Sequence, residues 1–259
     1  MKTKLTLFIT TLVLVLFSSS CTTVNTHGGL ASVYKPRITP ETAKPSETAK
    51  PSELPTDLKS LKVLAEKGHA IAQDKLGLKY AGGAGVKKDF KEAVKWYRKA
   101  ADQGYADAQD KLGFMYSKGL GVTKDNNEAV KWWRKAADQG DGSAQWHLAK
   151  QYDKQRNIEQ SFKWYLRAAM QGYVDGQYSL GVTHGILTDS GLAKLKGYNT
   201  SYVTSYAWTS IAAINGHKTA PRFISEFLEP KMTPDQITKA KKLSKDMATK
   251  NPKLIKKKG

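Results

Sequence analysis

The chain has 259 residues, of which 40% are hydrophobic and 25% are charged, proportions that are ordinary for a globular protein and exclude wholesale disorder. Lysine and arginine outnumber aspartate and glutamate by 42 to 23, which gives a formal charge of +19. A charge of this size would suit a nucleic-acid partner, so the cellular compartment has to be inferred before the charge is interpreted.

The first 20 residues have the pattern of an export signal. Lys2 and Lys4 form a positive start, residues 5–17 are apolar apart from threonines, and three serines follow at 18–20. The apolar stretch is shorter than the roughly 20 residues that a membrane-spanning helix needs. We therefore predict that residues 1–20 are a signal peptide that is removed on export.

The only cysteine, Cys21, directly follows these small residues in a pattern that resembles the bacterial lipoprotein signal. That resemblance implies a lipid on the thiol and, with Thr22 rather than Asp after it, delivery to the outer membrane. Ser18 stands where the lipobox usually has Leu or another aliphatic residue, so ordinary signal-peptide cleavage is the alternative. If Cys21 is lipidated, the domain has no disulfide, no cysteine nucleophile and no cysteine-bound metal.

Export changes the meaning of the positive charge. A periplasmic protein does not normally meet nucleic acid, so we predict no nucleic-acid partner. The anionic partners available in the envelope are glycans, lipid headgroups and acidic proteins. The expected location is the periplasm, with the protein held at the outer membrane only through its N-terminal lipid.

Residues 21–57 are predicted to form an extended tether. They contain five prolines and the hexapeptide ETAKPS twice, at 41–46 and 47–52. Proline-rich chains favour the extended polyproline II conformation and do not build a core. The simplest interpretation is a passive spacer between the anchor and a folded domain.

From residue 58 to 217 the chain has helical spacing and repeats itself. The stretch that starts at Ala72 recurs 36 residues later at Ala108 and again at Ala144, and EAVKWYRKAADQG returns as EAVKWWRKAADQG. The third copy is shorter because it lacks a GxGV loop, and the fourth carries an insertion. The predicted units are about 72–107, 108–143, 144–175 and 176–217, preceded by one helix of a degenerate unit.

Each unit is predicted to form two antiparallel helices. Apolar residues recur every four positions, small residues allow close approach of helices, and glycines in the loops and at helix ends supply positive φ. The framework residues are Ala72, Leu76, Tyr80, Gly85, Trp96, Tyr97, Ala100, Ala101 and Gly104 in the first unit, and Ala108, Leu112, Tyr116, Gly121, Trp132, Trp133, Ala136, Ala137 and Gly140 in the second.

The shared pattern AxxxLGxxYxxGxGVxxDxxxAxxWYxKAAxQG closely resembles the Sel-1-like repeat, a tetratricopeptide-related helix pair. This resemblance covers roughly residues 58–217. It implies an all-α fold, a right-handed α-solenoid of stacked antiparallel helix pairs, whose inner surface binds proteins or peptides. The sequence also indicates stacking by itself, because one helix pair cannot bury its apolar face alone.

Residues 218–259 follow the array and are predicted to form a capping helix and a basic tail. Thr233 and Pro234 are typical of a helix start, and an apolar edge follows up to Met247. The last nine residues, NPKLIKKKG, are short and basic, and we expect them to be mobile. Part of the net charge lies in this region.

No catalytic or metal-binding motif is found, and we predict no enzyme activity, no cofactor and no metal. The five histidines lack the close helical spacing of a metal site, and the acids at Asp89 and Asp125 begin helices, where capping is their expected role. The loop glycines lack the Lys-Ser/Thr pair of a phosphate loop. Some cysteine-rich members of the family are linked to β-lactam binding, but this chain lacks their cysteine pairs.

Partner-binding residues are expected on the first helices, at positions that vary against the fixed framework. One row is Asp74, Asp110, Trp146 and Tyr178, and the next is Lys75, Lys111, His147 and Ser179. Trp146 and His147 stand out because an aromatic residue replaces an acid there. The alternative is that both side chains pack under the shortened loop of the third unit.

The sequence thus favours a lipid-anchored periplasmic scaffold that binds another envelope or secreted protein, such as a peptidoglycan enzyme. A different class of function is also open, in which the basic surfaces and the tail bind an anionic glycan, either peptidoglycan or lipopolysaccharide. A third possibility is interaction with a host.

Overall fold

The computed structural model describes residues 54–55, 57–191, 194–195 and 198–256. The predictions for the signal peptide, for Cys21 and for most of the tether concern residues outside this part. No helix in the described part is long and apolar enough to cross a membrane.

Within the described residues the chain forms eleven α-helices and one two-residue β-ladder. The helices are α1 Leu58–Glu66, α2 Ala70–Gly82, α3 Phe90–Asp102, α4 Ala106–Lys118, α5 Asn126–Asp138, α6 Gly142–Lys154, α7 Ile158–Met170, α8 Val174–Asp189, α9 Tyr202–Ile214, α10 Ala220–Phe223 and α11 Pro234–Lys250. The ladder joins β1 Lys194–Leu195 to β2 Tyr198–Asn199, antiparallel, inside the insertion of the fourth unit.

The predicted fold class, stacked antiparallel helix pairs, is confirmed. Helices α2 and α3 form repeat 1, α4 and α5 repeat 2, α6 and α7 repeat 3, and α8 and α9 repeat 4, and each helix packs on its neighbours in chain order. The first helices begin two residues before the predicted unit starts, at Ala70, Ala106, Gly142 and Val174.

Capping explains where the second helices of repeats 1 to 3 begin. The Asp89 carboxylate accepts hydrogen bonds from the backbone N–H groups of Lys91 and Glu92, and Asp125 does the same in repeat 2. Asn157 accepts from Gln160 in repeat 3. The predicted capping role of these residues is confirmed, because each satisfies N–H groups that a helix start leaves free.

The core lies between the two helices of each repeat, and in repeats 1 and 2 a glycine of the first helix faces an aromatic ring of the second. A Cβ built on Gly77 would lie 2.7 Å from Cδ1 of Tyr97, and one built on Gly113 would lie 2.7 Å from Cδ1 of Trp133. The near-identical second helices of repeats 1 and 2 therefore make the same packing contact, in which the ring of Tyr97 or Trp133 fills the space above a glycine.

A glutamine relay, which we did not predict, links three successive segments of the chain around Gln73 and around Gln109. In the amide of Gln109, Nε2 donates to the carbonyl of Ala101 in the preceding helix, 3.0 Å away. Its Oε1 accepts from Nε2 of Gln139, 2.8 Å away at the C-cap of α5. The same contacts recur around Gln73, one repeat earlier. A buried amide that bridges helices in this way leaves neither of its ends without a partner.

The C-terminal region departs from the prediction. Helix α11 packs on α9, as expected of a capping helix, with the predicted cap at Thr233. Residues 251–256, which we expected to be mobile, are instead docked: Leu254 is buried, and its carbonyl accepts hydrogen bonds from Gln177 Nε2 and Asn215 Nδ2. The prediction of a mobile tail is wrong for these residues, because Leu254 provides an apolar anchor among the lysines.

Candidate functional site

The four first helices, α2, α4, α6 and α8, present one continuous row of varying side chains, which we call the first-helix face. It carries Lys75 and Leu78 in repeat 1 and their counterparts at the same register in the later repeats. The framework leucines, at Leu76, Leu112, Leu148 and Leu180, are fully buried on the opposite side. The first-helix face therefore varies between repeats while the leucines of the core stay the same.

The two predicted rows of binding residues contact each other across the repeat boundaries. Lys111 Nζ lies 2.7 Å from Oδ1 of Asp74, and Nδ1 of His147 lies 3.0 Å from Oδ1 of Asp110. A third contact at the same register joins repeats 3 and 4: the indole N–H of Trp146 donates to Ser179 Oγ at 3.0 Å. We call these three contacts the inter-repeat ladder.

Asp74 is an internal member of this ladder. Its side chain is buried, with only 5% of the residue exposed, although Asp74 stands in one of the rows where partner-binding residues were expected. Burial raises the pKa of the Asp74 carboxyl, and the neighbouring Lys111 ammonium opposes that rise. The pair therefore holds two repeats together, and Asp74 offers little surface to a partner.

Trp146 and His147 lie on the first-helix face and remain partly exposed. The imidazole of His147 stacks on the indole of Trp133, with 4.6 Å between the ring centroids and 7° between the planes. The ammonium of Lys150 lies 4.3 Å from the centroid of Trp146. Each of the two rings thus has one side fixed by the array and some surface available to a partner.

Tyr178, in repeat 4, is the last residue of the row that begins with Asp74. Its ring stacks on His217, with the centroids 4.0 Å apart, and meets Phe223 edge-on at 6.0 Å. Both partners come from the segment that follows repeat 4. Tyr178 therefore contacts the cap of the array.

A groove of about 330 Å³ opens on the first-helix face between repeats 1 and 2, and it reaches His147 of repeat 3. Leu78 and Phe114 occupy the same register in successive repeats and are 55% and 39% exposed, respectively. The groove is lined by Leu78, Ala81, Phe90, Tyr97, Asp110, Lys111, Phe114, Met115, Leu120 and His147. Of the predicted binding residues, it brings together Asp110, Lys111 and His147.

Leu78 and Phe114 were missed by the sequence reasoning. The sequence did contain an indication that these two residues lie on the surface, because they stand at a first-helix position where repeat 3 has Lys150. An apolar residue at a position that tolerates lysine is not required by the core. Comparing the repeats at this register would have identified the two side chains as surface residues.

His184 and Asp141, both within the array, have strongly shifted pKa values. Burial lowers the pKa of His184, in the first helix of repeat 4, to about 4. Burial raises the pKa of Asp141, the N-cap of α6, to about 6; the hydrogen bond from the Ala144 N–H opposes the rise, and the carboxylates of Asp110 and Asp107 add to it. His184 packs edge-on against Phe162, which makes a structural role its simplest explanation.

The described residues contain no group of three or more His, Cys, Asp or Glu side chains that could hold a metal ion. The histidines of the first-helix face and its cap are engaged with single carboxylates, His147 with Asp110 and His217 with Asp175. What the face offers chemically is an apolar groove, aromatic rings and flanking charges, a combination typical of recognition surfaces.

Three consecutive segments of the chain, residues 70–105, 106–141 and 142–173, match the family model described as Sel1 repeat. They correspond to repeats 1 to 3, so the resemblance inferred from the sequence is confirmed for these residues. A comparison with curated proteins found no match.

Several solved structures are similar to this chain. A Sel1 repeat protein from Oxalobacter formigenes is 28% identical, over 73% of this chain and 78% of that chain, with a TM-score of 0.58. A protective antigen present in uropathogenic Escherichia coli strains, which displays an SLR fold, is 26% identical, over 78% of this chain and 51% of that chain, with a TM-score of 0.48. The cysteine rich protein B of Helicobacter pylori is 32% identical, over 33% of this chain and 65% of that chain, with a TM-score of 0.32.

Proposed function

We propose that this protein is a non-enzymatic interaction scaffold of the bacterial cell envelope, and that it binds a protein or peptide partner on the first-helix face. Sel1 repeats typically mediate protein–protein interactions and are generally non-enzymatic scaffolds. The observation that carries the proposal is the apolar groove between repeats 1 and 2, with Leu78 and Phe114 exposed at its edges.

The groove is the best candidate surface for two reasons. Leu78 and Phe114 contribute nothing to the core in their exposed state, and burying such side chains under a partner would stabilise a complex by roughly 25 cal/mol per Å² of apolar surface removed from water. The walls of the groove are also fixed, because the inter-repeat ladder holds Lys111 and His147 in place. A preorganised surface loses less conformational entropy on binding.

A site-specific photo-crosslinker tests the proposed surface. Replacing Phe114 by a photoreactive phenylalanine analogue in cells should yield a discrete crosslinked partner upon irradiation. The matched control carries the same analogue at Ile214, which is 65% exposed on the second helix of repeat 4. Equal yields of the same product from both positions would contradict the proposed surface, as would a Phe114→Ser variant that binds the purified partner unchanged.

The envelope location is proposed from the N-terminal sequence pattern. The intact mass of the mature protein, purified from membranes, distinguishes the alternatives. A mass that corresponds to a chain beginning at an acylated Cys21 supports a lipid anchor at the outer membrane. A chain cut after the same signal without a lipid would support a soluble periplasmic scaffold, and an uncut chain would contradict export.

A second candidate function is binding of an anionic envelope glycan, and a regular row of cations on the second helices favours it. Lys99 Nζ lies 4.2 Å from the ring centroid of Trp96, and Lys135 Nζ lies 4.1 Å from that of Trp132. The guanidinium of Arg167 lies 4.3 Å from Trp164 in repeat 3. Cations that recur at the repeat spacing could face a polymer with regularly spaced negative charges.

Sedimentation with purified peptidoglycan sacculi tests this candidate. We expect salt-sensitive binding that a Lys99→Gln/Lys135→Gln variant weakens, with Lys241→Gln/Lys245→Gln on the capping helix as the charge-matched control. Binding that is indifferent to salt, or that both variants weaken equally, would count against it. Deleting residues 250–259 is a poorer test, because it would also remove the buried Leu254.

A further inference from the structure

Two lysines stand over the aromatic rings that line the groove. Lys88 Nζ lies 4.6 Å from the centroid of the Phe90 ring, and Lys118 Nζ lies 5.9 Å from that of the Phe114 ring. Both lysines are exposed, and neither forms an ion pair with a carboxylate in the described part of the chain. The edge of the groove therefore carries two positive charges that the array does not neutralise.

The carboxylates nearest to the groove are already engaged. Asp110 contacts His147, and the buried Asp74 is paired with Lys111. Asp89 and Asp125 begin the adjoining second helices, and each accepts hydrogen bonds from the backbone N–H groups of its own helix. These acids thus satisfy donors within the array, and none of them is paired with Lys88 or Lys118.

We propose that the groove binds an acidic, apolar segment of a partner protein. A large apolar side chain of that segment occupies the groove between Leu78 and Phe114, and its flanking carboxylates pair with Lys88 and Lys118. This inference rests on the proposed function and specifies the partner's chemistry. The two lysines come from different elements, the loop after α2 and the last turn of α4, and each lies over a ring that lines the groove, so we place one acid of the segment against each.

Charge complementarity is the reason for proposing an acidic segment rather than a neutral or basic apolar segment. A neutral segment would use the apolar walls alone, and a basic one would be repelled by the two lysines. Exposed ion pairs are individually weak, so we expect the acidic flanks to raise affinity by about three- to tenfold in total at low salt. Their contribution should fall as ionic strength rises, because exposed charges are screened.

Fluorescence anisotropy with three labelled pools of short peptides tests the inference. The pools share the same leucines and phenylalanines and differ only in having Glu, Gln or Lys at the other positions. We expect the Glu pool to bind most tightly, the Gln pool about three- to tenfold more weakly, and the Lys pool least. The variant Lys88→Gln/Lys118→Gln should lower binding of the Glu pool to the level of the Gln pool and leave the Gln pool unchanged.

The outcomes separate this inference from the function on which it rests. If the Glu and Gln pools bind equally and Phe114→Ser weakens both, the apolar groove is a binding site but the acidic preference is wrong. If no pool binds, the inference that the groove takes an acidic peptide is wrong. The crosslinking experiment at Phe114 then tests by itself whether the groove is a binding surface. If Lys241→Gln/Lys245→Gln weakens the Glu pool as much as the groove variant does, the attraction is a general charge effect and the inference fails.

Discussion

The ammonium group of Lys111 lies 2.7 Å from Oδ1 of Asp74 and 2.8 Å from Oδ2, across the boundary between repeats 1 and 2. The two residues belong to neighbouring positions of the repeat but to different copies of it. A pair of this kind exists only when one repeat is stacked on the next. The ladder therefore couples the stability of each repeat to the presence of its neighbour.

Removing Lys111 should destabilise the array. The variant Lys111→Met leaves the Asp74 carboxylate buried without its counter-ion, and we expect the free energy of unfolding at neutral pH to fall by about 2 kcal/mol. The loss is smaller than for a fully buried pair because the Lys111 side chain is 30% exposed. Urea denaturation measures it, with Lys241→Met as the control.

The double variant Asp74→Leu/Lys111→Met should recover most of this loss, because an apolar pair removes the buried charge altogether. A single Lys111→Met variant that is as stable as the control would show that solvent, rather than Lys111, satisfies Asp74.

His184 should make the protein less stable as the pH falls. Its pKa is lowered to about 4 in the folded chain, so the unfolded chain binds more protons between pH 6.5 and 4, and protonation favours unfolding there. We expect this group alone to reduce the free energy of unfolding by about 2 kcal/mol from pH 7 to pH 5. In a His184→Gln variant that part of the pH dependence should disappear. An unchanged pH profile would contradict the assignment.

Asp141 should act in the opposite direction. Its pKa is raised to about 6, so the folded chain binds more protons than the unfolded one between pH 6 and 4, and acidification favours folding through this group. Its contribution, about 1 kcal/mol from pH 7 to pH 5, partly offsets that of His184. The Asp141→Asn variant should therefore lose more stability on acidification than the parent. Denaturation curves at both pH values for the two variants separate the effects.

Two glycines at equivalent loop positions should respond differently to alanine. Gly85 and Gly121 both have positive φ, 79° and 72°, so alanine strains the backbone at each by about 1 kcal/mol. A Cβ at Gly85 meets open space, whereas one at Gly121 would collide with the carbonyl of Phe90 in the preceding repeat.

We therefore expect Gly121→Ala to lose at least about 2 kcal/mol more than Gly85→Ala in the free energy of unfolding, because backbone rather than a flexible side chain has to move. Thermal or urea denaturation of the two variants is the measurement, and each serves as the control of the other. Equal losses would show that the loop can move away from Phe90.

Leu254 should be essential to the C-terminal end of the array. It is 2% exposed and belongs to the same core as Trp208 and Ile211, so Leu254→Ala should cost about 3 kcal/mol. The neighbouring Lys253 is exposed, and Lys253→Ala should change the free energy of unfolding by less than about 0.5 kcal/mol. Equal effects from the two variants would contradict the docking of residues 251–256.

Most of the fold could be predicted from the sequence, because its determinants are local and repeated. The period of 36 residues, the apolar positions such as Leu76 and Leu112, and the caps at Asp89 and Asp125 each act within a single helix or turn. Near-identity between two copies further restricts their structures to the same helix pair. The capping helix was predicted for the same reason, from its own start signals at Thr233 and Pro234.

What the sequence did not provide are the contacts between copies. Asp74 and Lys111 were assigned to two separate rows of surface residues, and only stacking brings them together and buries the carboxylate. The docking of Leu254 on the end of the array and the different surroundings of Gly85 and Gly121 are also contacts between distant segments.

The sequence by itself determined the helix pairs, their order and their packing surfaces, since those follow from local spacing and capping. The tertiary structure decided which variable side chains remain available to a partner. Asp74 and Tyr178 are used by the array and its cap, whereas Leu78 and Phe114 are left exposed beside Lys88 and Lys118. The physical reason is that exposure depends on the offset between stacked repeats, and that offset is a property of the whole array.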